Sequence, residues 1–143
     1  AMDAYRRAAD RAPSPMHRRF VVYKLGQVQF DTRRYRSAET TFSSIVSAAG
    51  EVAEAVKVPA ALARLADIDL MRGEYRTALL RYQRVAEEFE ESSEAPWALY
   101  QIAAAHTRMG QKGPAYAASR RLQERYPQDY WARQAAWRWT TEQ

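Results

Sequence analysis

Apolar residues recur at intervals of three and four positions along most of the chain. This spacing places side chains on one face of an α-helix. Leu62, Leu65, Ala66 and Leu70 are a clear example. The pattern predicts an all-α fold with a short leading helix and seven longer ones. The predicted bounds are 3–12, 17–31, 35–48, 58–71, 75–90, 94–109, 112–126 and 129–142.

Residues that begin or end helices lie between these segments. Gly73 and Gly110 stand where a helix end requires a residue in the left-handed conformation. Asp129 can cap the last helix, and Ser92 or Ser93 is predicted to cap the sixth. Because the turns are short, the helices that they join must pack antiparallel as hairpins.

An internal repeat underlies these helices. Residues 59–89 match residues 96–126 at a constant offset of 37, and an earlier copy at 19–46 matches the second at an offset of 40. Each copy contains two amphipathic helices. Small residues that would allow a neighbouring helix to approach closely recur at Gly26, Ala66 and Ala103.

The three copies resemble the tetratricopeptide repeat. That family places Leu beside Gly or Ala in the first helix, an aromatic residue after the turn, Ala three residues later, and a further aromatic residue or Pro. The matching residues are Leu25–Gly26, Tyr35, Ala38 and Phe42; then Leu65–Ala66, Tyr75, Ala78 and Tyr82; then Ile102–Ala103, Ala115 and Pro127, with Lys112 in the aromatic place. The resemblance implies a right-handed α-solenoid of about three hairpins with extra terminal helices.

The resemblance also implies a single domain over residues 1–143. Its parts are 3–13 as the end of a preceding repeat, with Ala8 in its alanine place, the hairpins 17–48, 58–90 and 94–126, and the terminal helix 129–142. The start in mid-repeat, and an opening Ala1-Met2-Asp3 typical of a tag remnant, suggest a segment of a larger protein. The 37–40-residue spacing is more similar to repeats of bacterial envelope proteins than to the 34-residue form. A bacterial cell-envelope location, periplasmic or membrane-associated, is therefore favoured over the cytoplasm.

The resemblance further implies where a partner binds, because the first helices of the family line a concave groove. The main groove positions carry over to Phe20, Tyr23, Lys24, Gln27, Arg64, Asp67, Met71, Trp97, Tyr100, Gln101 and Arg108. Phe30, Asp31, Ala60, Ala63, Leu70, Ala104 and Thr107 complete the set. Aromatic residues mixed with arginine are typical of protein-binding hot spots. The alternative for any single aromatic residue is packing against a neighbouring helix.

The chaperone-binding members of the family hold a peptide carboxylate with lysine and asparagine at fixed groove places. Tyr23 and Gln27 occupy those places here, and the chain contains no asparagine. This difference argues against capture of a chaperone C-terminus.

The last predicted helix carries aromatic residues at 130, 131, 137 and 139, which cannot share one face at 100° per residue. Trp131, Ala135 and Trp139 are predicted to pack on the third hairpin. Tyr130 and Trp137 are then left elsewhere as a candidate end contact, either with a further repeat or with another copy of the chain.

Composition limits the chemistry that the chain can perform. It has no cysteine, which excludes disulfides, thiol nucleophiles and thiolate metal sites. His17 and His106 have no partner at metal-binding spacing. Asp67 and Asp69 point away from each other on one helix, and Asp69 requires a polar partner or an exposed position. We therefore expect no catalytic residue, metal or cofactor, and we find no run of about 18 apolar residues that could cross a membrane.

The net charge of +5 is unevenly distributed along the chain. Residues 1–39 and 107–143 are basic, whereas residues 40–106 are acidic, and this alternation argues against a nucleic-acid ligand. An acidic cluster is formed by Glu87, Glu88, Glu90, Glu91 and Glu94. We interpret it as solvated surface, with a docking patch for a basic partner as the alternative.

The sequence thus predicts a non-catalytic scaffold of a bacterial multiprotein assembly. It would bind another protein or a peptide segment through the groove or the end surfaces. Two alternatives stay open: self-assembly through the terminal helix, and an accessory role in polysaccharide or envelope assembly.

Overall fold

The computed structural model describes residues 2–12, 14–47 and 57–140, and the regular secondary structure of these residues is entirely helical. The helices are α1 (Met2–Asp10), α2 (Pro15–Asp31), α3 (Tyr35–Ser47), α4 (Val58–Met71), α5 (Tyr75–Glu88), α6 (Ala95–Arg108), α7 (Lys112–Arg125) and α8 (Tyr130–Arg138). This confirms the all-α class and is consistent with an α-solenoid of helical hairpins. None of the helices in the described ranges combines the length and hydropathy needed to span a bilayer.

The start of α8 was predicted correctly and its end was not. The Asp129 side chain accepts a hydrogen bond from the backbone N–H of Trp131 at 2.8 Å, which confirms the predicted cap. The helix ends at Arg138 rather than at 142, because the backbone of Trp139 leaves the helical region at φ −115°, ψ 75°. Residues 141 and 142, the last two of the predicted helix, lie outside the described residues.

The predicted serine cap of α6 is wrong. The N-cap position is Glu94, and the Ser92 hydroxyl donates instead to the carbonyl of Phe89 within the turn. A serine cap does occur at α2, where Ser14 accepts from the N–H of His17 at 3.1 Å.

Three helix-to-helix turns share one backbone geometry. Gly73 and Gly110 adopt positive φ angles of 77° and 74°, as predicted, and Arg33 does so at 62°. In each turn the next N–H reaches back five residues to a carbonyl: Arg34 to Gln29 at 2.8 Å, Glu74 to Asp69 at 2.9 Å, and Gln111 to His106 at 2.8 Å. These bonds form the Schellman motif, which satisfies the last carbonyls of the helix.

The chain divides between Ile68 and Asp69 into two compact units. Its assignment to one domain therefore stays a prediction. In the first unit, α2 packs against both α1 and α3. Phe42 is fully buried there, and a Cβ atom added to Gly26 would lie only 2.6 Å from the Phe42 ring. The predicted close approach at Gly26 is confirmed. In α1 the buried residue is Ala9, whereas Ala8, the alanine assigned from the repeat pattern, is exposed.

In the second unit, α6 packs against α5, α7 and α8. The predicted inward face of α5, formed by Ala78, Tyr82 and Val85, is completely buried. Asp69 is buried as well and pairs with Arg81 of α5 at 2.6 Å. The predicted need of Asp69 for a polar partner is met by this ion pair.

Candidate functional site

An aromatic pair flanked by lysines lies on α2 in the first unit. Phe20 is 46% exposed. The Lys24 ammonium lies 5.4 Å from the centre of its ring, and the Lys57 ammonium lies 5.1 Å from the same ring and 5.0 Å from the Tyr23 ring. We call Phe20, Tyr23, Lys24 and Lys57 the α2 patch. Here the structure brings three of the predicted groove residues together.

A chain of polar contacts continues from the α2 patch along the helix. The Tyr23 hydroxyl donates to Gln27 Oε1 at 3.4 Å, and Gln27 Nε2 donates to Asp31 Oδ1 at 3.0 Å. These residues are spaced four apart and therefore share one face. On its other side Tyr23 packs on the buried Phe42, with ring centres 5.7 Å apart. The hydroxyl and ring of Tyr23 are thus held in place from both sides.

Arg64 of α4 is held by two residues of the first unit. Its guanidinium lies 5.1 Å from the Phe30 ring centre and pairs with Asp67 at 2.9 Å. Asp67 is buried, whereas Arg64 is half-buried. Asp67 therefore orients Arg64 and presents little surface of its own.

Four aromatic side chains form a cluster in the second unit, which we call the α6–α8 cluster: Trp97, Tyr100, Trp131 and Trp139. The Trp131 ring centre lies 4.5 Å from that of Trp97 and 4.9 Å from that of Tyr100. The Trp139 ring lies 5.2 Å from Tyr100. Trp131 and Trp139 thus pack on the third hairpin as predicted, and Ala135 between them is fully buried.

Polar contacts fasten the edge of this cluster. Trp139 Nε1 donates to Thr107 Oγ1 at 2.9 Å. Arg138 donates to the Tyr100 hydroxyl at 3.3 Å, and its guanidinium lies 4.6 Å from the Trp139 ring centre. Two predicted groove residues, Trp97 and Tyr100, are therefore half-buried by α8 and the residue that follows it.

Three further predicted groove residues lie in neither the α2 patch nor the α6–α8 cluster. Gln101 turns inward and donates to the hydroxyl of the buried Tyr82 at 3.3 Å. Met71 and Arg108 are exposed.

The outward side of α8 carries the two residues predicted for an end contact. Trp137 is 84% exposed and Tyr130 is 53% exposed. Arg133 lies between them and is also exposed. Their placement away from the third hairpin agrees with the sequence pattern, and their binding role stays a prediction.

Part of the acidic cluster is engaged in ion pairs. Glu88 pairs with Arg84 at 2.7 Å, and Glu90 pairs with Arg125, which ties the turn after α5 to the end of α7.

His106 Nδ1 lies 2.7 Å from Gln111 Oε1. Within the described part of the chain, no group of three histidine or carboxylate side chains could hold a metal ion.

Sequence reasoning missed two residues of these clusters, Lys57 and Arg138. Lys57 directly precedes the first residue of α4, and the groove positions were counted from the helix onward. Arg138 is the last residue of α8, a helix predicted to continue past it. The contact of Lys57 with Phe20 and Tyr23 joins residues distant in sequence, and the role of Arg138 depends on where α8 ends.

Comparison with known proteins agrees with the repeat pattern. Residues 97–129, which extend from α6 through α7 to the cap of α8, match the family model described as Tetratricopeptide repeat. The match supports a tetratricopeptide repeat family and suggests a role in protein–protein interaction. A search of curated proteins returned no match.

Proposed function

We propose that this chain is a protein-binding scaffold and that it holds a segment of its partner on the α2 patch. The proposal starts from the interaction role that the matched repeat suggests. The observation that carries it is Phe20, a large apolar residue that stays 46% exposed while two lysine ammonium groups lie near its ring.

The α2 patch combines two kinds of recognition. Each cation–π contact at an exposed site contributes roughly 0.5–1 kcal/mol, which keeps Lys24 and Lys57 beside the aromatic rings. An ammonium has three donors, so both lysines can still bind an acceptor. A partner segment that places an apolar side chain on Phe20 and a carboxylate beside the lysines would satisfy both features.

The finer sequence predictions extend this proposal. Membership of a bacterial multiprotein assembly and a cell-envelope location rest on the 37–40-residue repeat spacing. The accessory role in polysaccharide or envelope assembly rests on the same resemblance. Identification of the partner would decide among them.

A peptide-library selection tests the α2 patch directly. Phage-displayed random peptides are selected on the purified chain, and the affinities of the enriched peptides are measured by isothermal titration calorimetry. We expect Phe20→Ala and Lys24→Glu each to weaken binding about tenfold or more, as truncation of a hot-spot residue does.

Leu80→Ala is the matched control, because Leu80 is also a large exposed apolar residue but lies on α5. It should leave the affinities unchanged, and circular dichroism should show all three variants folded. Peptides that bind the Phe20→Ala and Lys24→Glu variants as tightly as the original chain would refute the proposal.

A further inference from the structure

We propose that the outward side of α8, formed by Tyr130, Arg133 and Trp137 and called the α8 face, binds an acidic amphipathic helix of another protein. This surface lies outside the α2 patch, so the inference does not depend on the function proposed above.

The three side chains of the α8 face form one stripe. Residues spaced three and seven apart on an α-helix lie within about 60° of one another, and the stripe is about 10 Å long. The other side of α8 is occupied, because Ala132 and Ala135 are buried and Trp131 packs on α6. One side of α8 therefore packs within the second unit, and the opposite side, the α8 face, is exposed.

The composition of the stripe is that of a binding hot spot. Trp, Tyr and Arg are the residues that most often dominate binding energy at protein interfaces. Arg133 donates through Nη1 to the Gln128 carbonyl at 3.1 Å, which anchors its guanidinium near the start of α8. A guanidinium has five N–H donors, so Arg133 can also bind a carboxylate of the partner.

The α8 face is unsuited to the second helix of an ordinary hairpin of this repeat. Trp131 and Ala132 correspond to Trp97 and Ala98 of α6, at an offset of 34. At the same offset, Trp137 stands where α6 has Ala103. Ala103 is completely buried, and at the corresponding Gly26 even an added Cβ would lie 2.6 Å from the facing ring. A helix that closed on α8 in the same way would collide with the indole.

Charge decides what kind of partner fits. Residues 107–140 contain seven basic and only two acidic side chains. Asp129 caps α8, Glu124 pairs with Arg120, and Arg125 pairs with Glu90, so a positive excess remains in this segment after ion pairing. The partner must present an apolar stripe that packs on Tyr130 and Trp137 and carboxylates beside it that bind Arg133. An acidic amphipathic helix has both features.

A second copy of this chain fits less well. A symmetric pair would place the same patch on both sides of a twofold axis. Antiparallel pairing of the stripe would bring Trp137 onto Tyr130 of the other copy, but it would also bring the two Arg133 side chains together at the axis. Like charges at the centre of an interface oppose association.

A library of displayed helical peptides tests both the surface and the charge. Peptides are selected on the full chain after those that also bind its Trp137→Ala variant have been removed. Fluorescence anisotropy then measures the selected peptides against four variants: Trp137→Ala, Arg133→Glu, Arg76→Glu as the charge control on α5, and Phe20→Ala as the control for the α2 patch.

We expect the selected helices to be acidic with one apolar stripe. Their affinity should fall tenfold or more with Trp137→Ala and Arg133→Glu, and it should be unchanged with Arg76→Glu and Phe20→Ala. Enrichment of neutral or basic helices, or of none at all, would overturn the inference. Concentration-dependent dimerisation that Trp137→Ala abolishes, measured by light scattering, would overturn it too by making a second copy the occupant.

Discussion

Gly26 controls how closely α2 and α3 can pack. It is buried against the completely buried Phe42 ring, and an added Cβ would lie 2.6, 2.9 and 2.9 Å from three ring carbons. A rigid ring in a packed core can yield only if the helices move apart. The single missing side chain at Gly26 therefore determines the spacing of this hairpin.

We predict that Gly26→Ala destabilises the protein. Overpacking of this kind costs about 1–3 kcal/mol, which exceeds the roughly 1 kcal/mol that alanine gains over glycine within a helix. Urea denaturation measures the change in the free energy of unfolding. The control is the same substitution in a Phe42→Leu background, where the ring is absent and the loss of unfolding free energy should be smaller. An equal loss in both backgrounds would exclude the ring as its cause.

Arg33 stores backbone strain at the first hairpin turn. Its φ angle of 62° is one that glycine adopts freely and L-residues with a side chain adopt at a cost. We predict that Arg33→Gly stabilises the protein by about 0.5–1 kcal/mol. Thermal and urea unfolding would measure the gain.

Gly73→Ala is the converse test at the second turn. Nothing lies within 4 Å of a Cβ at Gly73, so this substitution changes only backbone preference. Gly73→Ala should lower the free energy of unfolding by about 1 kcal/mol. A stabilised Gly73→Ala variant would contradict this account of the turns.

Several residues could be assigned from sequence because their roles are local or repeated. The left-handed glycines and the Asp129 cap depend on a few neighbouring residues, and the repeat alignment located Gly26. Lys57 escaped prediction because it approaches Phe20 and Tyr23 from a distant part of the sequence. No local spacing encodes such a contact.

At the scale of elements, the buried ion pair between Asp69 and Arg81 joins the end of α4 to α5. The Asp69 side chain is 2% exposed and that of Arg81 is 31% exposed. A carboxylate this deeply buried is tolerated only with a partner. Within the second unit, the pair therefore holds Asp69 against α5.

We predict that Asp69→Ala lowers the free energy of unfolding by about 2–4 kcal/mol, because it removes the partner of a partly buried guanidinium. Glu88→Ala breaks the exposed pair with Arg84 and should cost less than about 1 kcal/mol. Urea denaturation compares the two variants. Equal losses would mean that burial of the Asp69 pair contributes nothing.

Helix type and number were predictable at this scale because the apolar spacing is regular, and α4 has its predicted bounds. The end of α8 was not, since Trp139 leaves the helix to donate its indole N–H to Thr107 of α6. That contact is tertiary. A helical pattern in the sequence cannot report where a tertiary hydrogen bond stops the helix.

At the scale of the whole molecule, many arginines are already engaged by carboxylates. Ion pairs within the described residues involve Arg64, Arg81, Arg84, Arg120 and Arg125. Each pair removes one positive and one negative charge, so the net charge of +5 is unchanged, but these five guanidinium groups are less available for contacts with phosphates.

We predict weak binding to DNA, with a dissociation constant above about 10 μM for a 20-base-pair duplex at 150 mM salt. Fluorescence anisotropy between 50 and 300 mM salt should give a shallow slope, which corresponds to few phosphate contacts. Submicromolar binding with a steep slope would contradict the prediction and revive nucleic acid as a ligand.

The fold class was predictable at this scale, whereas the composition of the candidate sites was predictable only in part. The repeat pattern located α2 and α6 as the helices that carry aromatic groove residues. The spacing of aromatic residues in the last helix predicted that Trp131 and Trp139 pack on the third hairpin. It could not indicate that their partners would be Trp97 and Tyr100, because that depends on side-chain packing between elements distant in sequence.

The three turns closed by the same hydrogen bond have a consequence for how such a chain can be built and changed. Because these turns depend on backbone geometry, we expect them to be interchangeable. Arg72-Gly73-Glu74 should replace Thr32-Arg33-Arg34 and preserve the hydrogen bond from the N–H of residue 34 to the Gln29 carbonyl. The helices on either side can then be redesigned or exchanged as cassettes. After a hairpin is duplicated, the sequences of both helices can likewise diverge while the turn between them keeps its conformation.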